Sequence, residues 1–180
     1  MKHIRISRTI FVVITTWIAT ILSPFCMAKE TDFSQPITVD SASQFSDGIK
    51  KLSIFKDNVV IAQGSLRILA DEVVVDASAG KGQEVLIARG APAQFMQTLA
   101  DGSQVKASAN EVRYTVVDRK ISLEGAAQLA QNASTVSGAS IIFDMLNEQL
   151  IASGTDGESG RVKAIFQTDK SAQATQGDQQ

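Results

Sequence analysis

A short pattern, apolar-x-apolar-x-small-small or polar, recurs along this chain and limits the folds open to it more than any other feature. Ile37-x-Val39-x-Ser41-Ala42 returns as Leu66-x-Ile68-x-Ala70-Asp71, as Val105-x-Ala107-x-Ala109-Asn110 and, in a degraded form, as Ser134-x-Val136-x-Gly138-Ala139. Equivalent positions are 29, 39 and 29 residues apart. A period of this length is that of one supersecondary unit, which cannot bury its apolar face alone and must lie against its neighbours. Within each copy the apolar residues alternate, so the repeated unit is built of strands.

The alternation continues between the copies. Leu52 and Ile54, Val59 and Ile61, Val85 and Ile87, Ala93 and Phe95, Val112 and Tyr114, Ile121 and Leu123, and Ile141 and Phe143 each mark a half-buried strand. Asp47-Gly48, Asp57-Asn58, Gln63-Gly64 and Asp101-Gly102 are turn pairs, and Ala77 to Gly82 is a loop that supplies part of the longer second interval. A second landmark falls 16 residues after each first one, at Asp57, Gly125 and Gly154, with Gly90 fitting after a short insertion. Glycine there suits a sharp bend between strands. No stretch has the length and 3.6-residue period of a substantial helix, so the sequence predicts an all-β fold of about a dozen short strands.

Residues 1–28 have the order of a secretory signal. Lys2, Arg5 and Arg8 precede an apolar run from Ile10 to Leu22, too short for a comfortable membrane span, and Cys26-Met27-Ala28 supplies small residues for cleavage between Ala28 and Lys29. An uncleaved anchor is the rival reading. Cleavage would remove the only Cys, the only His and the only Trp, leaving 14 basic against 19 acidic residues. Imidazole and thiol catalysis, ordinary zinc sites and disulfides are then unavailable, no cofactor is implied, and the acidic balance excludes a nucleic-acid binder. Residues 29–35 are expected to be flexible, 36–166 to form one domain, and 167–180, rich in Gln, Ser, Thr and Asp, to be a disordered tail.

One ordered series of residues resembles a known family. Gln35-Pro36-Ile37-Thr38-Val39, then Asn58-Val59, then Gln63-Gly64 through Ala70-Asp71, then Gly90-x-Pro92-Ala93-x-Phe95, then Ala109-Asn110-Glu111-Val112-x-Tyr114 is similar to the OstA-like family of periplasmic lipopolysaccharide export proteins, over about residues 35 to 166. The resemblance implies an open V-shaped two-sheet β-jelly roll of antiparallel strands whose apolar interior takes the acyl chains of lipopolysaccharide. It implies lipid contact at Ile37, Val39, Phe95, Tyr114 and Val116. It further implies stacking end to end in the periplasm, between an inner-membrane lipopolysaccharide extractor with an anchored OstA-like subunit and an outer-membrane translocon β-barrel. Asn110 and Gly138-Ala139 depart from the family's usual Asp.

Physical reasoning supplies rivals to each assignment. Alternating Val and Ile is ordinary core packing in most β proteins, so a closed structural β-repeat without lipid cargo stands beside the lipid conduit, as does a membrane-anchored relative. Tyr114 has an apolar ring and a hydroxyl suited to a lipid's polar region or to a structural role. Lys50-Lys51, Lys81, Arg89, Arg113 and Arg119-Lys120 suit phosphates or a solvated face. Asp71-Glu72 and Asn110-Glu111 have the residue types of acid-base catalysis, but their place at the repeat landmark favours a backbone role. An open β structure also leaves edges: Ile37, Thr38, Val39 and Asp40 at one end, and Val162, Lys163, Ala164, Ile165 and Phe166 at the other. These edges are expected to meet head to tail in further copies or partners of like fold.

Overall fold

The computed structural model describes residues 32–154 and 160–167, so the signal-like segment, the Ala28/Lys29 junction and the tail beyond Gln167 lie outside the described residues. The strands are β1 (Thr38–Asp40), β2 (Ser43–Asp47), β3 (Leu52–Gln63), β4 (Leu66–Asp76), β5 (Val85–Thr98), β6 (Gln104–Thr115), β7 (Lys120–Gln131), β8 (Ser134–Asp144), β9 (Gln149–Ser153) and β10 (Lys163–Phe166). They form one antiparallel sheet in the order β1-β3-β4-β5-β6-β7-β8-β10, with β2 also on β3 and β9 also on β8. Each long strand joins the next by a hairpin, with the longer loop 77–84 between β4 and β5, so nearly every contact is between sequence neighbours.

A single line of register shifts crosses this sheet. The pairing slips between Lys56 and Val59, Leu69 and Glu72, Arg89 and Ala93, Ser108 and Glu111, and Glu124 and Ala127. Both sequence landmarks lie on that line. The even strands carry Ala70-Asp71, Ala109-Asn110 and Gly138-Ala139, and the odd strands opposite carry the extra residues Asp57-Asn58, Gly90 to Pro92 and Gly125-Ala126. Extra residues on alternate strands bend the sheet in one direction at every step, because a bulge kinks the strand that carries it. Asp57, Asn58, Gly125 and Ala126 take left-handed conformations with φ of 66°, 54°, 78° and 51°. Gly125 also has no room for a side chain, since a Cβ there would lie 2.6 Å from Nδ2 of Asn110.

The landmark therefore corrects one expectation. Asp57-Asn58 is no turn, and at Asp57, Gly90 and Gly125 the second landmark does not separate strands but lies within one strand as a bulge, whereas Gly154 directly follows the end of β9. Pairs of short strands, such as Val59–Ile61 with Leu52–Ile54, merge into strands of 11 to 14 residues, and the polar stretch Ser43–Asp47 becomes a strand by pairing with β3.

The crease divides the sheet into two leaves. The first holds β1, β10 and the halves of the long strands around Ile61, Ile68 and Phe95; the second holds β2, β9 and the halves around Val73, Leu86 and Tyr114. Inner residues of both leaves, Phe95 and Tyr114 among them, are completely excluded from solvent. One face of a single-layer sheet reaches that state only by folding against its own other half. A bond across the gap demonstrates the closure: Tyr114 of the second leaf donates its hydroxyl to Oε1 of Gln63 in the first, at 2.7 Å. The expected V of two β layers is present as two leaves of one continuous sheet.

Outside, adjacent to the crease, a row of alternating charges ties the second leaf. Lys56 pairs with Glu72 at 3.0 Å, Arg89 bridges Glu72 at 3.8 Å and Glu111 at 3.0 Å, and Arg113 reaches Glu111 at 3.3 Å. These part-exposed pairs contribute about 0–1 kcal/mol each and mainly fix register.

Candidate functional site

Where the leaves converge at the β1 end they leave a cavity of about 530 Å³, lined among others by Ile37, Val39, Phe55, Val75, Leu86 and Val116. That volume lies within the range of small-ligand pockets, about 300–1,000 Å³. Its walls are apolar because both strand faces here obey the two-residue alternation: Val39 opens the inner row Val39-Ile61-Ile68-Phe95-Ala107-Leu129-Val136 of the first leaf. Ser53-Val75-Leu86-Tyr114-Ile121-Phe143 is the matching row of the second leaf. Lys81 and Glu84, from the loop before β5, stand on the cavity's margin, and Glu84 accepts a hydrogen bond from the Gly82 amide at 3.1 Å.

The structure brings Ile37, Val39 and Val116 together on this cavity. Phe95 and Tyr114 belong to the same inner rows but lie deeper, in the stretch where the leaves touch and no solvent enters. The Tyr114 hydroxyl that the sequence offers to a polar head is already bonded to Gln63. Burial lifts its pKa to about 12, against a smaller opposing influence of the Arg119 charge. An unfolded tyrosine ionises near pH 10. This group therefore adds no pH dependence below about pH 10 and lowers stability as pH rises from about 10 to 12, by on the order of 2–3 kcal/mol in all. Chemical denaturation at stepped pH is expected to show that loss, and Tyr114→Phe to show a smaller slope over the same interval.

Phe33, Phe55, Val75 and Leu86 also line the cavity and were not singled out by sequence. Leu52-Ser53-Ile54-Phe55 is apolar on both parities, and the more regular pair, Leu52 and Ile54, is the one that faces outward. A cue was present in Phe55 itself, since a large aromatic opposite Val73, in the apolar run Val73–Val75 of β4, marks the buried parity.

Of the cations and acids considered as sites, Arg89, Arg113, Glu72 and Glu111 are taken up in the outer charge row. Lys120 pairs with Asp144 at 3.9 Å, Lys50 with Asp47 at 3.8 Å, and the Arg119 guanidinium sits 4.7 Å from the centroid of Phe33. Asp71 and Asn110 lie on the crease, Asn110 against Gly125. Among the described residues no group of His, Cys, Asp and Glu is arranged to hold a metal ion.

The first and last strands of the sheet path are β1 and β10, at Thr38–Asp40 and Lys163–Phe166, with Ile37 and Val162 directly before them. Each forms only half of its edge. In the second leaf the corresponding outer strands are β2, which the sequence does not mark as a strand, and β9, which the alternation of Leu150 and Ala152 does mark; Phe45 on β2 and Ile151 on β9 expose 63% and 64% of their surface.

Comparison with known proteins agrees with this architecture. Residues 38–149 match the family described as LptA/(LptD N-terminal domain) LPS transport protein. A lipopolysaccharide export system protein LptA of Haemophilus influenzae is 37% identical over 134 residues, covering 73% of this chain and 78% of its own. The LptA of Escherichia coli K12 is 32% identical over 146 residues, covering 81% and 77%. The crystal structure of LptH, the LptA-homologous periplasmic component of the lipopolysaccharide transport device of Pseudomonas aeruginosa, superposes with a TM-score of 0.70 at 25% identity, over 77% of this chain and 99% of that one. Carrying the family's pattern over its whole creased sheet, this chain belongs to the LptA family, which LptA shares with the N-terminal domain of LptD.

Proposed function

We propose that this protein carries lipopolysaccharide through the periplasm, from the inner to the outer membrane, with acyl chains held between the leaves. The observation that carries the reading is the apolar cavity at the β1 end, continuous with the inner faces of both leaves. Each CH₂ moved into water costs about 0.8 kcal/mol, so a chain of about a dozen carbons needs on the order of 10 kcal/mol of cover. An apolar wall with few hydrogen-bonding groups meets that need without selecting one chain conformation. Ile37, Val39 and Val116 are the first contacts, and Phe95 and Tyr114 become contacts where the leaves part to let a chain pass. The role is binding and transfer rather than catalysis, in line with relatives that are transport proteins.

The bridge is made by stacking. β1 and β2 run from the first leaf to the second, whereas β9 and β10 run from the second to the first. Setting the β9–β10 edge of one copy beside the β1–β2 edge of the next therefore continues an antiparallel sheet, with leaf on leaf and crease on crease. At its ends the same contact serves an anchored subunit of like fold on the inner-membrane extractor and the translocon β-barrel of the outer membrane.

The closed centre favours one rival, a structural β-repeat with a dry core and no cargo. Photo-crosslinkers at Val116 and Val39, with Lys106 on the outer face as control, separate the two. Capture of lipopolysaccharide from the cavity positions and not from Lys106 is expected. Equal or absent capture at all three would favour the structural scaffold.

A further inference from the structure

The wall of the cavity on the β1 side is made by the segment from Asp32 to Val39, which joins the sheet ladder at its far end, at Thr38 and Val39. Asp32 to Ser34 form one helical turn, and the chain then runs extended through Ile37 into β1, with Phe33, Gln35, Ile37 and Val39 all facing the cavity. Sequence composition assigns residues 29–35 to a loose end, but Asp32 to Gln35 sit in the mouth between the leaves. Gln63, at the end of β3, is one of two buried polar residues in the described core, and its whole side chain is committed there. Its Nε2 donates to the carbonyl oxygens of Phe33, at 3.2 Å, and Gln35, at 3.1 Å, while its Oε1 accepts from Tyr114 of the opposite leaf. One amide thus ties both leaves and the segment.

A second fastening lies two residues along, at Ser65. Ser65 donates its hydroxyl to the Asp32 carboxylate and accepts from the Thr98 N–H at 3.1 Å, with the Thr98 carbonyl 3.2 Å away as an alternative acceptor for the same proton. Gly64 between them is left-handed, with φ of 57°, and a Cβ on it would lie 2.6 Å from the Asp32 Cα; the missing side chain is the space the segment occupies. The seam beneath, lined by Asp32, Phe33, Gln97 and Met145, contains the other buried polar residue, and the Oε1 of Gln97 has no hydrogen-bond partner. A buried acceptor left unpaired disfavours the closed seam and is relieved when the seam opens to water. The segment is therefore fastened by polar bonds at Asp32, Phe33 and Gln35 and packs Phe33, Ile37 and Val39 on the core, over a joint that contains one unpaired buried acceptor.

We propose that Asp32–Val39 is a displaceable wall of the cavity, latched by Gln63, and that lipid enters and leaves between the leaves when this latch releases. The inference rests on the lipid-carrying reading of the cavity and assigns its control: Gln63 is the positioning residue, and Tyr114 is its partner across the leaves.

Two forms of the protein test it, with uptake and release of fluorescently labelled lipopolysaccharide as the readout. In the first, made with Cys26→Ser, the pair Asp32→Cys and Ser65→Cys staples the segment where the two side chains already meet. Exchange is expected to be at least tenfold slower in the oxidised form than in the same protein after reduction. In the second, Gln63→Met with Tyr114→Phe removes the tie while keeping both volumes and leaving no unpaired group between the two leaves, so the core stays filled, and the carbonyls of Phe33 and Gln35 lose the donor that holds the segment. Exchange is expected to be at least tenfold faster than in the unaltered protein, and hydrogen exchange at Gln35 and Ile37 to rise with it while amides of β6 stay protected. Lipid uptake at one common rate in all forms overturns the latch alone. No uptake by any form overturns the reading of the cavity, and the latch with it.

Discussion

Replacing Phe95 by alanine is expected to remove about 3–5 kcal/mol of stability, a large part of the roughly 5–15 kcal/mol that holds a domain folded. Phe95 is fully buried in the inner row of the first leaf, flanked across the strands by Ile68 and Ala107. Ala107 brings too little volume to fill the space a missing ring would leave, and the leaves are single-layered, so no second shell of side chains stands behind them to collapse inward. A thermal midpoint roughly 10 °C or more below that of the unaltered protein is expected, measured by circular dichroism on the exported form. Phe95→Leu keeps most of the volume and is expected to recover more than half of the loss. A drop of less than about 1 kcal/mol for the alanine variant would mean that the leaves do not close on Phe95 in solution.

The second large effect concerns assembly and not folding. Gln167 donates its N–H to the Ala133 carbonyl, inward toward the β7–β8 hairpin, at 3.3 Å. N–H directions alternate along a strand, so those of Ile165 and Lys163 also point toward β8 while those of Ala164 and Phe166 point out to the free edge. Ala164→Pro therefore removes a donor from the free edge and leaves the pairing with β8 intact. Light scattering against concentration is expected to show growing assemblies for the unaltered protein and a monomer for this variant, with the same circular dichroism spectrum. Ile165→Pro acts on the inward side and is expected to loosen β10 itself. Phe45 and Ile151, exposed at opposite edges of the second leaf, would meet on the outer face of such a junction, so Phe45→Ser is expected to weaken assembly by a smaller factor.

Legibility followed the range of the physics involved. Period-2 alternation is set by each strand's own backbone, and so the all-β class, the hairpins at Gln63-Gly64 and Asp101-Gly102 and the loop from Ala77 were readable from the chain. The repeat was readable as well, but its meaning was not. Asp57-Asn58 and Gly125 advertise positive φ, a property shared by turns and bulges, and only pairing with neighbouring strands decides between them. The five residues assigned to lipid contact all face inward, because parity is local; whether an inward residue meets a cavity or its opposite leaf is a matter of how far the leaves part, and that separates Val116 from Tyr114.

By itself, then, the sequence determined an antiparallel β repeat, a chain without His or Cys beyond its signal-like start, and the family pattern on the crease. These follow from side-chain chemistry acting over a few residues. Tertiary structure alone decided that the repeat landmarks form one crease, that Ser43–Asp47 is a strand and completes an edge, and that Gln63, Tyr114 and Phe33 meet. The first two outcomes depend on pairing between strands, and the last on folding one leaf onto the other, which brings together groups 51 and 30 residues apart along the chain; no local preference encodes such a distance.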